Sequence, residues 1–180
     1  MTGADYINIK STLIEKGYAN EIDWQTNLKE CESNLQFAQE AVWVILNSGM
    51  KEQIARKISN KIYAALEQGI DISEVFGHKG KVAAIKYVIN NSGKLFEGYV
   101  LAKDKISYLK TIPFIGNITC YHLAKNLGHD CVKPDRHLVR IAQQYSTTPE
   151  KLCQNISNEV GDKKSVVDIV IWRACNLNLL

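Results

Sequence analysis

The chain has 180 residues, 46% of them hydrophobic and 23% charged, with a formal net charge of +3. This composition excludes a disordered polyelectrolyte, and no apolar run reaches the roughly 18 residues that a membrane helix needs. The small positive charge is compatible with a polyanionic partner without requiring one.

Helical periodicity runs through the chain. Leu35, Ala38, Val42 and Ile45 recur at three- and four-residue steps and predict one inward face, ended by Asn47-Ser48-Gly49. Ile54, Ile58, Ile62, Ala65 and Leu66 predict a second helix stopping at Gly69, and Val82, Ile85, Val88 and Ile89 a third over about 79–90. A short helix follows over about 94–100, another over about 103–110, and a third over about 117–127 with Gly128 beyond its end. Pro134-Asp135 opens a helix reaching about Tyr145. Thr148-Pro149 is a cap followed by a first-turn proline, and Gly161-Asp162 precedes a last helix built on Val166, Val167, Ile169, Val170 and Trp172. No strand pair or repeat is evident, so the expected class is all-α. The expected division is a core over 35–145 and a second lobe of 1–34 plus 146–180, with the tail returning to the N-terminal helices.

Five cysteines at 31, 120, 131, 153 and 175 form no CxxC pair. They argue against a disulfide framework and against a zinc or iron–sulfur site, leaving reduced buried thiols. The N-terminus lacks a basic segment followed by an apolar one, so a cytoplasmic protein is expected.

The stretch Ile112–Ala142, IPFIGNITCYHLAKNLGHDCVKPDRHLVRIA, holds two devices in series. The first is a tight turn between two helices. There Gly116 would let the backbone turn, and the N–H groups of Gly116, Asn117, Ile118 and Thr119 would open the next helix as a seat for phosphate. An ordinary corner in a helical bundle has the same signature. The second is Asp135 after Lys133-Pro134 at a helix start. An isolated Pro-Asp pair is structural more often than catalytic, because Asp is a common N-cap.

Together, Ile112-Pro113-Phe114-Ile115-Gly116-Asn117-Ile118-Thr119-Cys120 and Pro134-Asp135-Arg136-His137 resemble the helix-hairpin-helix (Gly/Pro-Asp) DNA glycosylase superfamily, in its endonuclease III-like and adenine glycosylase-like branch. The resemblance extends upstream through 41–63 and 77–85. It implies a two-lobed helical fold with the active-site cleft between the lobes, double-stranded DNA as partner, and a monomer. It also implies a flipped-out base and Asp135 as the catalytic carboxylate.

Family members that also nick the strand carry a lysine where this chain has Ile118, and isoleucine forms no Schiff base. The expectation is therefore monofunctional hydrolysis leaving an abasic site. The cluster cysteines of some relatives are missing, so neither an iron–sulfur cluster nor any other cofactor is expected. A monovalent cation on hairpin carbonyls is the one ion that the resemblance allows. Phe114 replaces the family's first hairpin glycine, which puts the usual hairpin geometry in question.

Met50 and His78 are the candidates to plug the stack after flipping. Lys51, Arg56, Lys79, Lys81, Lys125 and Arg136 are candidate phosphate contacts, with solvated helix faces as the alternative. Trp24, Trp43, Tyr121 and His122 are candidate pocket walls, although aromatics at helical spacing more often belong to a core. Two other readings stay open: a non-catalytic hairpin module that binds DNA, and a helical adaptor. Within the enzyme reading, base-excision repair and attack on modified phage DNA are equally open.

Overall fold

The computed structural model describes residues 1–180 and contains helices and connecting turns without a strand. In chain order these are α1 (Gly3–Leu13), a π-helical turn (Ile14–Tyr18), α2 (Ala19–Asn27), α3 (Asn34–Asn47), α4 (Glu52–Glu67), α5 (Lys79–Asn90) and α6 (Ser92–Leu101). There follow α7 (Lys105–Leu109), α8 (Thr119–Asn126), α9 (Arg136–Gln144), α10 (Pro149–Val160) and α11 (Lys164–Asn176). Two compact units emerge: one comprises 1–30 with 124–180, the other 31–123.

The first unit joins both ends of the chain. Thr2 and Asp5 cap the start of α1 reciprocally, so a polar segment with few apolar residues still begins a helix. Gly17, at φ 91°, turns the chain between α1 and α2. Tyr6, Leu13 and Ile22 pack with Leu138, Ile141 and Ala142 of α9, Leu152 and Ile156 of α10, and Val166, Val167, Val170 and Ile171 of α11.

Polar bonds tie the same elements. The Tyr6 hydroxyl and the Lys10 ammonium each donate to Asp162 Oδ2 at 2.6 Å. The Arg173 guanidinium donates twice to Glu21, at 2.7 and 2.8 Å. Gly128, at φ 85°, follows α8 where a Cβ would collide with the Lys29 carbonyl, so only glycine fits the close approach.

The boundary expected after Tyr145 therefore lies earlier, between Leu123 and Ala124. The physical reason is the apolar face of α9, which packs with α10 and α11. Its periodicity in sequence marks a buried face without naming the partner.

In the second unit, Ser33 caps α3 through the Gln36 N–H. The α3 residues Phe37, Ala41, Val42, Val44, Ile45 and Leu46 are buried, and the Phe37 ring meets Tyr99 at 5.6 Å and Phe96 at 6.1 Å. Ala38, Val42 and Ile45 face inward as predicted, but Leu35 in the first turn is 65% exposed. The predicted inward stripe of α4 is also narrower than expected. Ala55, Ile62 and Ala65 are buried, whereas Ile54 and Leu66 are exposed, because α4 packs mainly on α3 along one strip.

All five cysteines are reduced and buried. Burial pushes every thiol above its usual range, Cys131 to about 12. Only thiolate reacts readily, so none of the five should be modified within minutes by a disulfide reagent at neutral pH. All five should react once the chain is denatured, and a thiol titration with and without guanidinium checks this. No helix is long and apolar enough to cross a membrane.

Candidate functional site

In the second unit, the turn between α7 and α8 is anchored by Leu109, Ile112 and Ile115, each buried, while Pro113, Phe114, Gly116, Asn117 and Ile118 are exposed. Ile115 N–H donates to the Ile112 carbonyl at 3.0 Å. The Gly116 N–H donates to Thr119 Oγ1 at 2.7 Å, and the Gly116 carbonyl accepts from Cys120 N–H at 3.0 Å. Thr119 therefore locks the turn; Asn117 and Ile118 lead into α8 and Thr119 opens it, so their N–H groups have no acceptor within the helix.

The unusual backbone lies at Phe114 rather than at the expected Gly116. Phe114 has φ 70°, and Gly116 stays outside the left-handed region. A bulky residue there is strained by about 1–3 kcal/mol. The hairpin thus keeps the conformation a glycine would adopt, with an aromatic ring in its place.

Two other expected DNA-facing segments meet this turn in the same unit. Phe114 packs against His78 edge to face, with centroids 5.6 Å apart. His78 Nδ1 accepts from Lys81 N–H at 3.2 Å and so caps α5. The Lys81 ammonium donates to the carbonyls of Leu46 and Ser48, both at 2.7 Å, and fixes the turn that carries Met50. Lys81 is 3% exposed, and burial depresses its ammonium pKa. Met50, His78 and the 112–119 turn are thus linked through Lys81 and Phe114. The sequence offered Lys81 as a candidate phosphate contact, but it is buried four residues before Ile85 on the apolar face, a register where a lysine needs partners.

Trp43 is half-buried under the Arg56 guanidinium, 5.2 Å from the ring centroid. Tyr121 and His122 are half-buried on α8.

In the first unit, Asp135 is the N-cap of α9. Its Oδ1 accepts from His137 N–H at 2.9 Å and from Leu138 N–H at 3.2 Å. Its Oδ2 lies outside those bonds, 4.0 Å from Lys133 Nζ, and the Asp135 side chain is 14% exposed. One oxygen is committed to the helix and the other faces a cation at the edge of a mostly buried position. Burial lowers the Lys133 pKa, and the carboxylates of Asp135 and Asp168 oppose that shift.

The loop carrying Asp135 hangs from α11. Lys133 N–H donates to Asp168 Oδ2 at 2.6 Å, and Asp168 Oδ1 pairs with Lys125 Nζ at 2.6 Å. Lys125 is therefore corrected as a phosphate contact: it is 5% exposed and holds a buried carboxylate. Asp168, which sequence reasoning missed, stands amid Val166, Val167, Ile169 and Val170, where an acid signals a buried partner.

Arg136 is exposed at the start of α9. Trp24 is 47% exposed on α2 and lines a shallow, open depression with Asn20, Asp23, Asn27, Leu28 and Lys29. No group of three or more His, Cys, Asp or Glu side chains is arranged to hold a metal ion. The turn carries no carboxylate, and the Gly116 and Ile118 carbonyls each accept one N–H group. No protein-family model, curated protein or solved structure matches the chain.

Proposed function

We propose that the chain is a monofunctional DNA glycosylase that flips a damaged or modified base out of duplex DNA and hydrolyses its N-glycosidic bond. The observation that carries this reading is the division of labour at Asp135. Oδ1 is spent on the helix cap, while Oδ2 stays available beside Lys133 on a loop anchored to Asp168.

Cleavage of the glycosidic bond builds positive charge on the deoxyribose. A fixed carboxylate in a water-poor setting stabilises that charge and orients the attacking water. The Lys133 ammonium and the N-terminal end of α9 place positive potential beside that carboxylate. The hairpin's first-turn N–H groups would grip a phosphate without reading sequence. With Ile118 in place of a lyase lysine, the product is an abasic site and the strand stays intact. The biological setting is either repair or attack on modified foreign DNA.

The test is mass spectrometry of bases released from alkylated, oxidised, deaminated, hydroxymethylated and glucosylated DNA. Release of one base class without strand scission is expected. A second reading, a hairpin module that binds DNA without chemistry, is favoured by the cap itself, since two N–H bonds already account for an aspartate at position 135. Salt-sensitive duplex binding with no base released from any DNA would select that second reading.

A further inference from the structure

Phe114 combines three features that stability does not explain. Its backbone is held at φ 70°, where glycine would sit without strain. Its ring is 42% exposed, so burial does not compensate for the strain. The ring is nonetheless fixed: His78 meets it edge-on, and Gly80 leaves it room, since a Cβ there would lie 3.0 Å from Phe114 Cε2.

An outlier of this kind marks a position kept for a task. The surroundings indicate which task. Ile118, 41% exposed, adds a second apolar side chain to the same short turn. Lys79 and Lys110 are exposed, one next to the residue that receives the ring and the other four residues before Phe114. A fixed aromatic face on a turn whose neighbouring chain segments carry exposed lysines suits a base together with its phosphates. An apolar protein partner would have no use for those cations.

We propose that Phe114 is a base-stacking wedge, which enters duplex DNA from the hairpin and fills the gap at a position that has lost its stacked base. This rests on the nucleic-acid reading above and moves the plugging role from Met50 and His78 to the hairpin. His78 then serves as the backstop that fixes the ring.

The variant Phe114→Gly tests the proposal cleanly, because glycine adopts the observed backbone and the turn stays formed. Affinities are measured by fluorescence anisotropy for two duplexes of one sequence, one fully paired and one with a tetrahydrofuran abasic analogue. A 2-aminopurine beside the analogue reports stacking in a parallel measurement. Wild type should prefer the abasic duplex by roughly tenfold or more and quench the 2-aminopurine.

Phe114→Gly should lose both the preference and the quenching while keeping its affinity for paired duplex and the salt dependence of that affinity. Phe114→Trp should restore them. If Phe114→Gly keeps the preference, or wild type has none, the wedge is overturned while base release still decides the glycosylase reading. If wild type binds neither duplex, both fall together.

Discussion

Asp135→Asn should lower base release by at least roughly 100-fold and leave folding and DNA binding nearly unchanged. The asparagine Oδ1 can still accept from the N–H groups of His137 and Leu138, and Asn ranks with Asp as an N-cap. What disappears is the charge that Oδ2 presents 4.0 Å from Lys133 Nζ. Losing a first-turn negative charge costs about 0.3–1 kcal/mol. For a chain of this size that shifts the thermal midpoint by no more than about 4 °C.

Asp135→Ala is the informative contrast, because it removes the cap as well and should cost about 1 kcal/mol more. The pair of variants therefore separates a cap from a catalyst. Release measured by mass spectrometry should fall equally in both, while thermal stability falls further in the alanine variant. Full release by Asp135→Asn would reduce Asp135 to a capping residue and remove the mechanism proposed for it.

Elements with chemical punctuation were legible in the sequence. Thr148-Pro149, Gly161 and Asp135 each mark a helix end by local hydrogen bonding or backbone geometry, and the structure uses each in that way. The third predicted helix matches α5 because its apolar spacing is regular and Asn90 and Gly77 lie at its margins.

The first thirty residues were opaque. In α1 only Gly3, Tyr6 and Leu13 are buried, and the partners that hold it, Asp162 and the α10–α11 core, lie some 150 residues away. Local pattern carries no record of such a partner. Lys125 failed for the same reason. A lysine in the last turn of a helix looks like a solvated charge or a phosphate contact until its carboxylate, on another helix, is known.

Phe114 was legible as a departure from the glycine of the resembled motif, and its backbone nonetheless lies in the left-handed region that glycine favours. Glycine preference reflects an energy difference of about 1–2 kcal/mol, which a well-anchored turn can absorb. Ile112 and Ile115, both buried, provide that anchor. The residue type therefore did not decide the conformation; the packing on either side of it did.

The largest stability effect should come from Asp168→Asn. The Asp168 carboxylate bonds Lys125 Nζ through one oxygen and Lys133 N–H through the other, both at 2.6 Å, with the side chains of the ion pair 3% and 6% exposed. Burial pushes the Asp168 pKa up, and the Lys125 ammonium and the Lys133 N–H pull it back. An asparagine can still accept through its oxygen, but the buried ammonium loses its counter-charge. Breaking one side of such a pair costs about 3–5 kcal/mol, or roughly 6–20 °C in the midpoint at 2–4 °C per kcal/mol.

Lys125→Met alone should be similarly damaging, since it strands the carboxylate. The double variant Lys125→Met/Asp168→Asn removes both charges and should recover most of the loss, because a neutral, well-filled site is often as stable as a buried pair. Urea unfolding of the four proteins gives the coupling directly. The same cycle bears on function, because Lys133 N–H fixes the loop that presents Asp135. If the amide oxygen at 168 keeps that bond, the double variant should retain base release. A loss below about 1 kcal/mol in either single variant would mean that water reaches the pair, and that something other than Asp168 holds the Asp135 loop in place.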